Sequence, residues 1–335
     1  FSGTKTSGSA NATDANGFGD FYYTPPSSGD TKFLALCSAN LPISDDIDPA
    51  QTDDDFPQKQ FGVVTYTGNS STNAITGLGF QPDLVWVKSR NQARNSYQAD
   101  SSRGTNKTLS STLNEEERTE TNLTSFDTDG FTLSDNYNYR QNWNESGYTY
   151  VGWCWRANGG VTQTNSDGDI TSTVQANTKA GFSIVTYTGN GSVAQSIGHG
   201  LSSAPELIFV KNRDEADDWA VYHVGTGNAA HLLLNTAAAQ VTSSAYWGSF
   251  TPSSTLFKVG SDHKLNAINE KYVAYCWHGV AGMQRFGKFI GNGNDEGTFI
   301  NTGFRPKLVA IKWVQDVNSA ENWGVFDTAR STSNP

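Results

Sequence analysis

Phe61-Gly-Val-Val-Thr-Tyr-Thr-Gly-Asn69 returns as Phe182-Ser-Ile-Val-Thr-Tyr-Thr-Gly-Asn190 and, worn down, as Phe286-Gly-Lys-Phe-Ile-Gly-Asn292. Each copy leads into an apolar turn, a proline and a run ending in lysine. These runs are Pro82-Asp-Leu-Val-Trp-Val-Lys88, Pro205-Glu-Leu-Ile-Phe-Val-Lys211 and Pro306-Lys-Leu-Val-Ala-Ile-Lys312. The first two copies also share an ending, Tyr150-Val-Gly-Trp-Cys154-Trp and Tyr272-Val-Ala-Tyr-Cys276-Trp. A fixed internal period marks an array of like modules. Units of roughly 120 residues can each bury a core of their own. The expected organisation is therefore beads on a string. Short β-branched and aromatic runs bounded by Gly, Asn and Ser turns make the fold class all-β, with two-sheet sandwiches as the architecture.

Working outward sets the boundaries. Phe33-Leu-Ala-Leu-Cys37-Ser-Ala-Asn40 resembles the ending of each copy, so residues 1–40 are expected to close a preceding β domain. Residues 41–59 read as an acidic, proline-containing linker, with Asp45, Asp46, Asp48, Asp53, Asp54 and Asp55 between Pro42 and Pro57. Like charges and prolines keep such a segment extended. Six aspartates raise the possibility of calcium, but their spacing lacks a D-x-D-x-D-G loop. Residues 60–159 form the first sandwich, 160–180 a polar linker, 181–284 the second sandwich and 285–335 the start of a third. Strands are expected over 63–66, 84–88, 131–134 and 148–155 in the first copy. In the second they are expected over 182–187, 207–211, 219–223, 231–235, 255–259 and 272–277. Residues 112–121 read as a short helix or a polar loop.

The net charge of −10 argues against nucleic acid as a partner, because phosphate binding needs a basic surface. No apolar run reaches the roughly 20 residues of a membrane span. Cys37, Cys154 and Cys276 fall at one per unit inside apolar runs, which suits buried thiols rather than a disulfide or metal site. No metal or other cofactor is expected.

Catalytic patterns are weak. All five histidines lie in the second copy, and Asp100 and Asp327 take the place of His223 in the other two. No Gly-x-Ser-x-Gly elbow occurs. Asp214, Asp217 and Asp218, and Glu115 to Glu117, are candidates for the two carboxylates of a glycosidase. Both groups sit in turn-like stretches and read more simply as solvated charge. The chain is read as not an enzyme. What recurs instead is aromatic. Most of the nine tryptophans must be core. Tyr137, Tyr139 and Trp143, in an Asn-rich loop, and Trp219 and Trp247 are the candidates for binding. Exposed rings beside amides and carboxylates can stack on sugars or pack against subunits.

These motifs resemble a family of tailed-phage virion proteins. Tyr22-Tyr-Thr-Pro-Pro26 followed by Phe33 to Pro42 looks like the end of a SPRY-like, concanavalin-type domain. Val64–Asn69, Pro82–Lys88, Val185–Asn190, Pro205–Lys211 and Tyr272–Trp277 look like the tandem modules that follow it. The stretch from Gly168 to Phe182 looks like the family's inter-module linker. The resemblance implies lectin-like, concanavalin or jelly-roll β-sandwiches in a tail fibre, spike or similar appendage of phages of marine bacteria. It implies a virion location, a homotrimer by analogy with fibres, other virion proteins as partners and adhesion to a host-surface glycan. A structural decoration without ligand is the alternative, and a glycan depolymerase a more distant one. Neither nucleic acid nor membrane insertion is implied.

Overall fold

The computed structural model describes residues 12, 21, 56–134, 143–314 and 321–330. The chain divides into two compact units, Phe1–Asp53 and Asp54–Pro335. In the first, Ala12 and Phe21 form an antiparallel bridge. The rest of the expected preceding domain, Cys37 and most of the acidic linker lie outside the described residues.

In the second unit the first copy contains β1 (Phe61–Thr67), β2 (Asn73–Thr76), β3 (Leu84–Ser89), β4 (Tyr97–Asp100), β5 (Lys107–Ser110), β6 (Arg118–Thr119), β7 (Leu123–Asp127), β8 (Gly130–Leu133) and β9 (Thr149–Trp155). A large sheet runs β1-β9-β3-β4-β5-β6 and a small one β2-β8-β7. The segment 112–121 is a loop carrying β6 rather than a helix.

The second copy is preceded by β10 (Gln163–Asn165) and β11 (Ser172–Asn177). It contains β12 (Phe182–Thr188), β13 (Gln195–Gly198), β14 (Leu207–Asn212), β15 (Ala220–His223), β16 (Ala230–Leu233), β17 (Val241–Thr242), β18 (Leu256–Val259) and β19 (Lys271–Trp277). Two single-turn helices, α1 (Ser244–Trp247) and α2 (His263–Asn266), stand beside the small sheet β13-β18. The expected linker 160–180 is thus a pair of strands that extends the large sheet, because β11 pairs with β12. Val174 enters the second copy's core. The Gln175 carboxamide accepts from the Asn158 and Gly160 amides and donates to Ser102, tying β11 back to the first copy. The third copy contributes β20 (Leu308–Ile311) and β21 (Gly324–Asp327). The observed fold class is all-β, built of antiparallel sheets packed face to face.

The repeated motif has a mechanical explanation. Tyr66 and Tyr187 stack on Tyr150 and Tyr272 with ring centroids 5.1 and 5.0 Å apart. Their hydroxyls donate to the carbonyls of Trp143 and Leu265 at 2.9 and 2.7 Å. The next residues, Asn144 and Asn266, accept from the amides of Asn69 and Asn190. Gly68 and Gly189 let the strand end lie against that loop. A Cβ at either would strike the carbonyl oxygen of Glu145 or Ala267. Gly189→Ala should therefore lower stability by about 1–3 kcal/mol, the usual cost of overpacking. Urea denaturation of the variant checks this, and an unchanged midpoint would refute the close-approach explanation.

Alternation along each strand assigns two faces. In β9, Tyr150 and Cys154 point to the small sheet, whereas Val151, Trp153 and Trp155 point the other way. In β19, Tyr272, Ala274 and Cys276 face the second copy's small sheet and helices, and Val273, Tyr275 and Trp277 face away. The residues facing away form one shared core with Phe182, Ile184, Phe209, Trp219 and Val221, joined by Leu308, Trp323 and Val325 of the third copy. The copies are therefore not separate beads. Their aromatic outer faces are too apolar for water and are buried against one another. Cys154 and Cys276 are buried and free, one on each small-sheet side, and burial pushes both thiols well above the usual value.

Candidate functional site

Trp143, Trp219 and Trp247 are 2%, 0% and 1% exposed. Trp143 fills the first copy's outer core, and Trp247 packs edge-on to Tyr222 in the second copy's. Trp219 lies in the shared core, stacked on Tyr275. None of the three offers a ring face to a sugar, which corrects the sequence-based assignment. Bulky rings in Asn-rich surroundings were candidates for exposure, yet each is enclosed by its own or a neighbouring sheet. Tyr137 and Tyr139 lie outside the described residues.

The feature that emerges is the seam between copies. Trp219 Nε1 donates to the Ser110 carbonyl at 2.7 Å, and Trp323 Nε1 to the Leu233 carbonyl at 3.0 Å. Ser110 ends β5 and Leu233 ends β16, its counterpart. The second copy thus grips the first as the third grips the second. A further pair of contacts closes the circuit. Tyr275 Oη donates to Asp100 Oδ2 at 2.7 Å, and Trp153 Nε1 to Asp327 Oδ2 at 3.1 Å. Tyr275 and Trp153 hold equivalent places in β19 and β9, as do Asp100 and Asp327 in β4 and β21. The contacts run from second to first, third to second and first to third, a closed cycle of three. Trp155 and Trp277 meet across the seam with ring centroids 6.1 Å apart. Phe61 and Phe182 both pack on Trp155.

A polar knot lies on the seam between the first two copies. Arg103 donates to Asp100 at 2.6 Å, to Glu117 at 2.9 Å and to Tyr275 Oη at 3.0 Å, with its side chain wholly buried. Arg213, from the second copy, forks onto both oxygens of Glu117 at 2.8 and 2.9 Å. Burial alone would raise the Glu117 carboxyl, but Arg213 and Arg103 hold it below the usual value. Glu117 is therefore a structural anchor rather than part of a solvated charge run. The same Asp-x-x-Arg hook recurs at Asp327 and Arg330, where the guanidinium lies over the Trp153 ring. The spacing of 100–103 and 327–330 is the signal in the sequence that would have revealed it.

The other candidate carboxylates are engaged. Asp217 contacts His263 Nε2 at 2.9 Å and accepts from Asn212, while Asp214 accepts from the Lys271 amide. Among the described residues no group of three or more His, Cys, Asp or Glu is placed to hold a metal ion. No helix among them is long and apolar enough to cross a membrane.

His199 and His231 serve packing. His199 is buried, accepts from the Leu201 amide on Nδ1 and donates from Nε2 to the Ser253 carbonyl, which fixes it neutral. Burial lowers His199 and His231 to about 4. His231 stacks flat on Tyr246. In both, the folded-state value lies below the unfolded one. Their contribution to stability is thus present above about pH 6.5 and is lost as pH falls toward 4. Each should cost up to about 1.4 kcal/mol per pH unit in that window. His231→Phe, which keeps the stack, should flatten the fall in the urea midpoint between pH 6.5 and 4.5. An unchanged slope would count against a neutral His231.

Comparison with known proteins gives a family match. No curated protein and no solved structure matches the chain. The matched region starts at Phe56, beside the boundary of the second compact unit, and spans all three copies as a single domain. Over residues 56–335 the chain belongs to the family described as a domain of unknown function, DUF7483.

Proposed function

We propose that the chain is a structural module of a tailed-phage virion appendage, such as a fibre or spike, without catalytic activity. The observation that carries this reading is the use of the aromatic faces. Of the rings that suggested a sugar platform, Trp219 lies in the core shared by the three copies, and Trp143 and Trp247 fill the outer cores of the first and second. The candidate acids Glu117 and Asp217 are likewise held by cationic or histidine partners. The virion context rests on the resemblance of the repeat motifs and the SPRY-like ending. In this reading the partners are other virion proteins and copies of the chain. The trimer expected of a fibre would form through surfaces other than the shared core. Of the rings first considered for glycan adhesion, Tyr137 and Tyr139 are the ones on which it would rest.

The test is a glycan array and a solution mass measurement on the purified chain. A folded protein that binds no sugar saturably supports the structural reading. Saturable binding lost in Tyr139→Ala would replace it with the adhesin reading.

A further inference from the structure

β14 ends in Lys211-Asn212, and Lys211 is 0% exposed. By alternation its side chain shares the face of Phe209, which lies in the core shared between copies. Its Nζ donates to two backbone carbonyls of the loop that follows, Asn212 at 2.5 Å and Glu215 at 3.0 Å. No carboxylate among the described residues forms an ion pair with it. The acids that act on it from further off are Asp217, Asp218 and Glu215 of its own copy and Glu116 of the first. The matching Lys88 of the first copy is only half-buried and donates to the Arg94 carbonyl. The first copy holds the same loop of the second. The Glu117 amide donates to the Arg213 carbonyl at 2.8 Å, Arg213 forks onto the Glu117 carboxylate, and Asn114 Nδ2 donates to the Ala216 carbonyl at 3.5 Å. Residues 212–216 are therefore a joint, pinned by Lys211 within the second copy and by residues 114–117 of the first.

The seat of Lys211 fits a neutral amine. An uncharged amine has two N–H donors for the two carbonyls, whereas an ammonium brings a third N–H and a charge into a buried place. We infer that Lys211 makes the seam between the first two copies proton-sensitive, tighter with a neutral amine in this seat and looser once a proton is taken up. Burial lowers Lys211 to about 8, and Asp217, Asp218, Glu116 and Glu215 offset only part of that fall. The folded value lies below the unfolded one of about 10.4. Stability is therefore gained as pH rises from about 8 toward 10. The other charges of the joint are constant in that window. Glu117 is held below the usual carboxylate value, and arginine keeps its charge throughout. His263, in contact with Asp217, completes the titratable groups of this corner. Above about pH 10 the buried tyrosines Tyr66, Tyr187 and Tyr275, raised by burial, oppose the gain, because the unfolded chain ionises there first. The inference does not depend on the virion reading.

The test uses the full chain and Lys211→Met, which keeps an unbranched stem and removes the amine. Between about pH 8 and 9.5 the unfolding equilibrium constant of the unaltered chain, from urea titrations, is expected to fall by up to about tenfold per pH unit. The protection factor of the Glu117 amide, whose bond crosses the seam, should rise over the same range. Lys211→Met should show neither change. Lysine side-chain resonances of the folded, unaltered chain, assigned through the backbone, keep the test open should the variant not fold. Lys211 is expected to titrate near pH 8 there. A Lys211 resonance that titrates only above about pH 10 would overturn the proposal. So would a pH slope that persists in Lys211→Met, or a slope with no change at the Glu117 amide.

Discussion

Trp277→Ala is expected to lower stability by about 3–5 kcal/mol, the range for deleting a large buried aromatic side chain. Trp277 touches Phe182 and Phe209 at 5.1 Å and Trp155 of the first copy at 6.1 Å between ring centroids. It is therefore a packing element of two copies at once. The consequence separates a shared core from independent beads. In a shared core, amide protection should fall in β9 as well as in β19, and urea unfolding should remain one transition at a lower midpoint. Loss of protection confined to residues 182–277, with the first copy untouched, would refute the shared core.

Arg103→Lys should be nearly as damaging as outright removal. Arg103 serves Asp100, Glu117 and Tyr275 through three different nitrogens, a fork that a lysine ammonium cannot reproduce. Breaking a buried ion pair leaves uncompensated charge and costs about 3–5 kcal/mol. Tyr275→Phe removes only the hydroxyl between Asp100 and Arg103 and should cost about 1–3 kcal/mol. Thermal or urea unfolding of the three proteins checks the order. If Arg103→Lys proved as mild as Tyr275→Phe, the knot would be a surface ornament rather than a joint.

Much of the fold is legible in the chain. The repeated Tyr-Thr-Gly-Asn stretch and the Pro-to-Lys runs locate β1, β3, β12 and β14, and the Cys-Trp endings locate β9 and β19. These segments are strongly β-branched and aromatic, which leaves little ambiguity. The short strands β4, β5, β7 and β13 are less visible. Their sequences, such as Tyr97-Gln-Ala-Asp100 and Gln195-Ser-Ile-Gly198, are half polar and take their conformation from neighbours. The stretch 160–180 looks like a linker because its Thr, Asn and Ser content matches that of a loop. Only its pairing with β12 makes it a sheet. The site was harder to read. Alternation tells which residues of Val151-Gly-Trp-Cys-Trp155 share a face, but not whether that face meets water, a small sheet or a sister copy. Trp153 and Trp155 could not be told from exposed rings by periodicity. Asp100 aligns with His223 and Asp327, and the arginine three residues on, Arg103 or Arg330, is the sequence signal that ties the aspartates to the seam.

The cyclic seam also counts. In an open array a further module can be gained or lost at an end, because each unit leaves the next one's place free. Here the third copy's Asp327 receives Trp153 of the first. A copy inserted between these three would have to break one of their seams, and deleting one would strip two seams together. Gene duplication can therefore have built this unit, but inserting or removing one of these copies disturbs the other two. Divergence is directed instead at individual joints: Trp219 and Trp323 grip their neighbours, while the matching position in the first copy is Ser96.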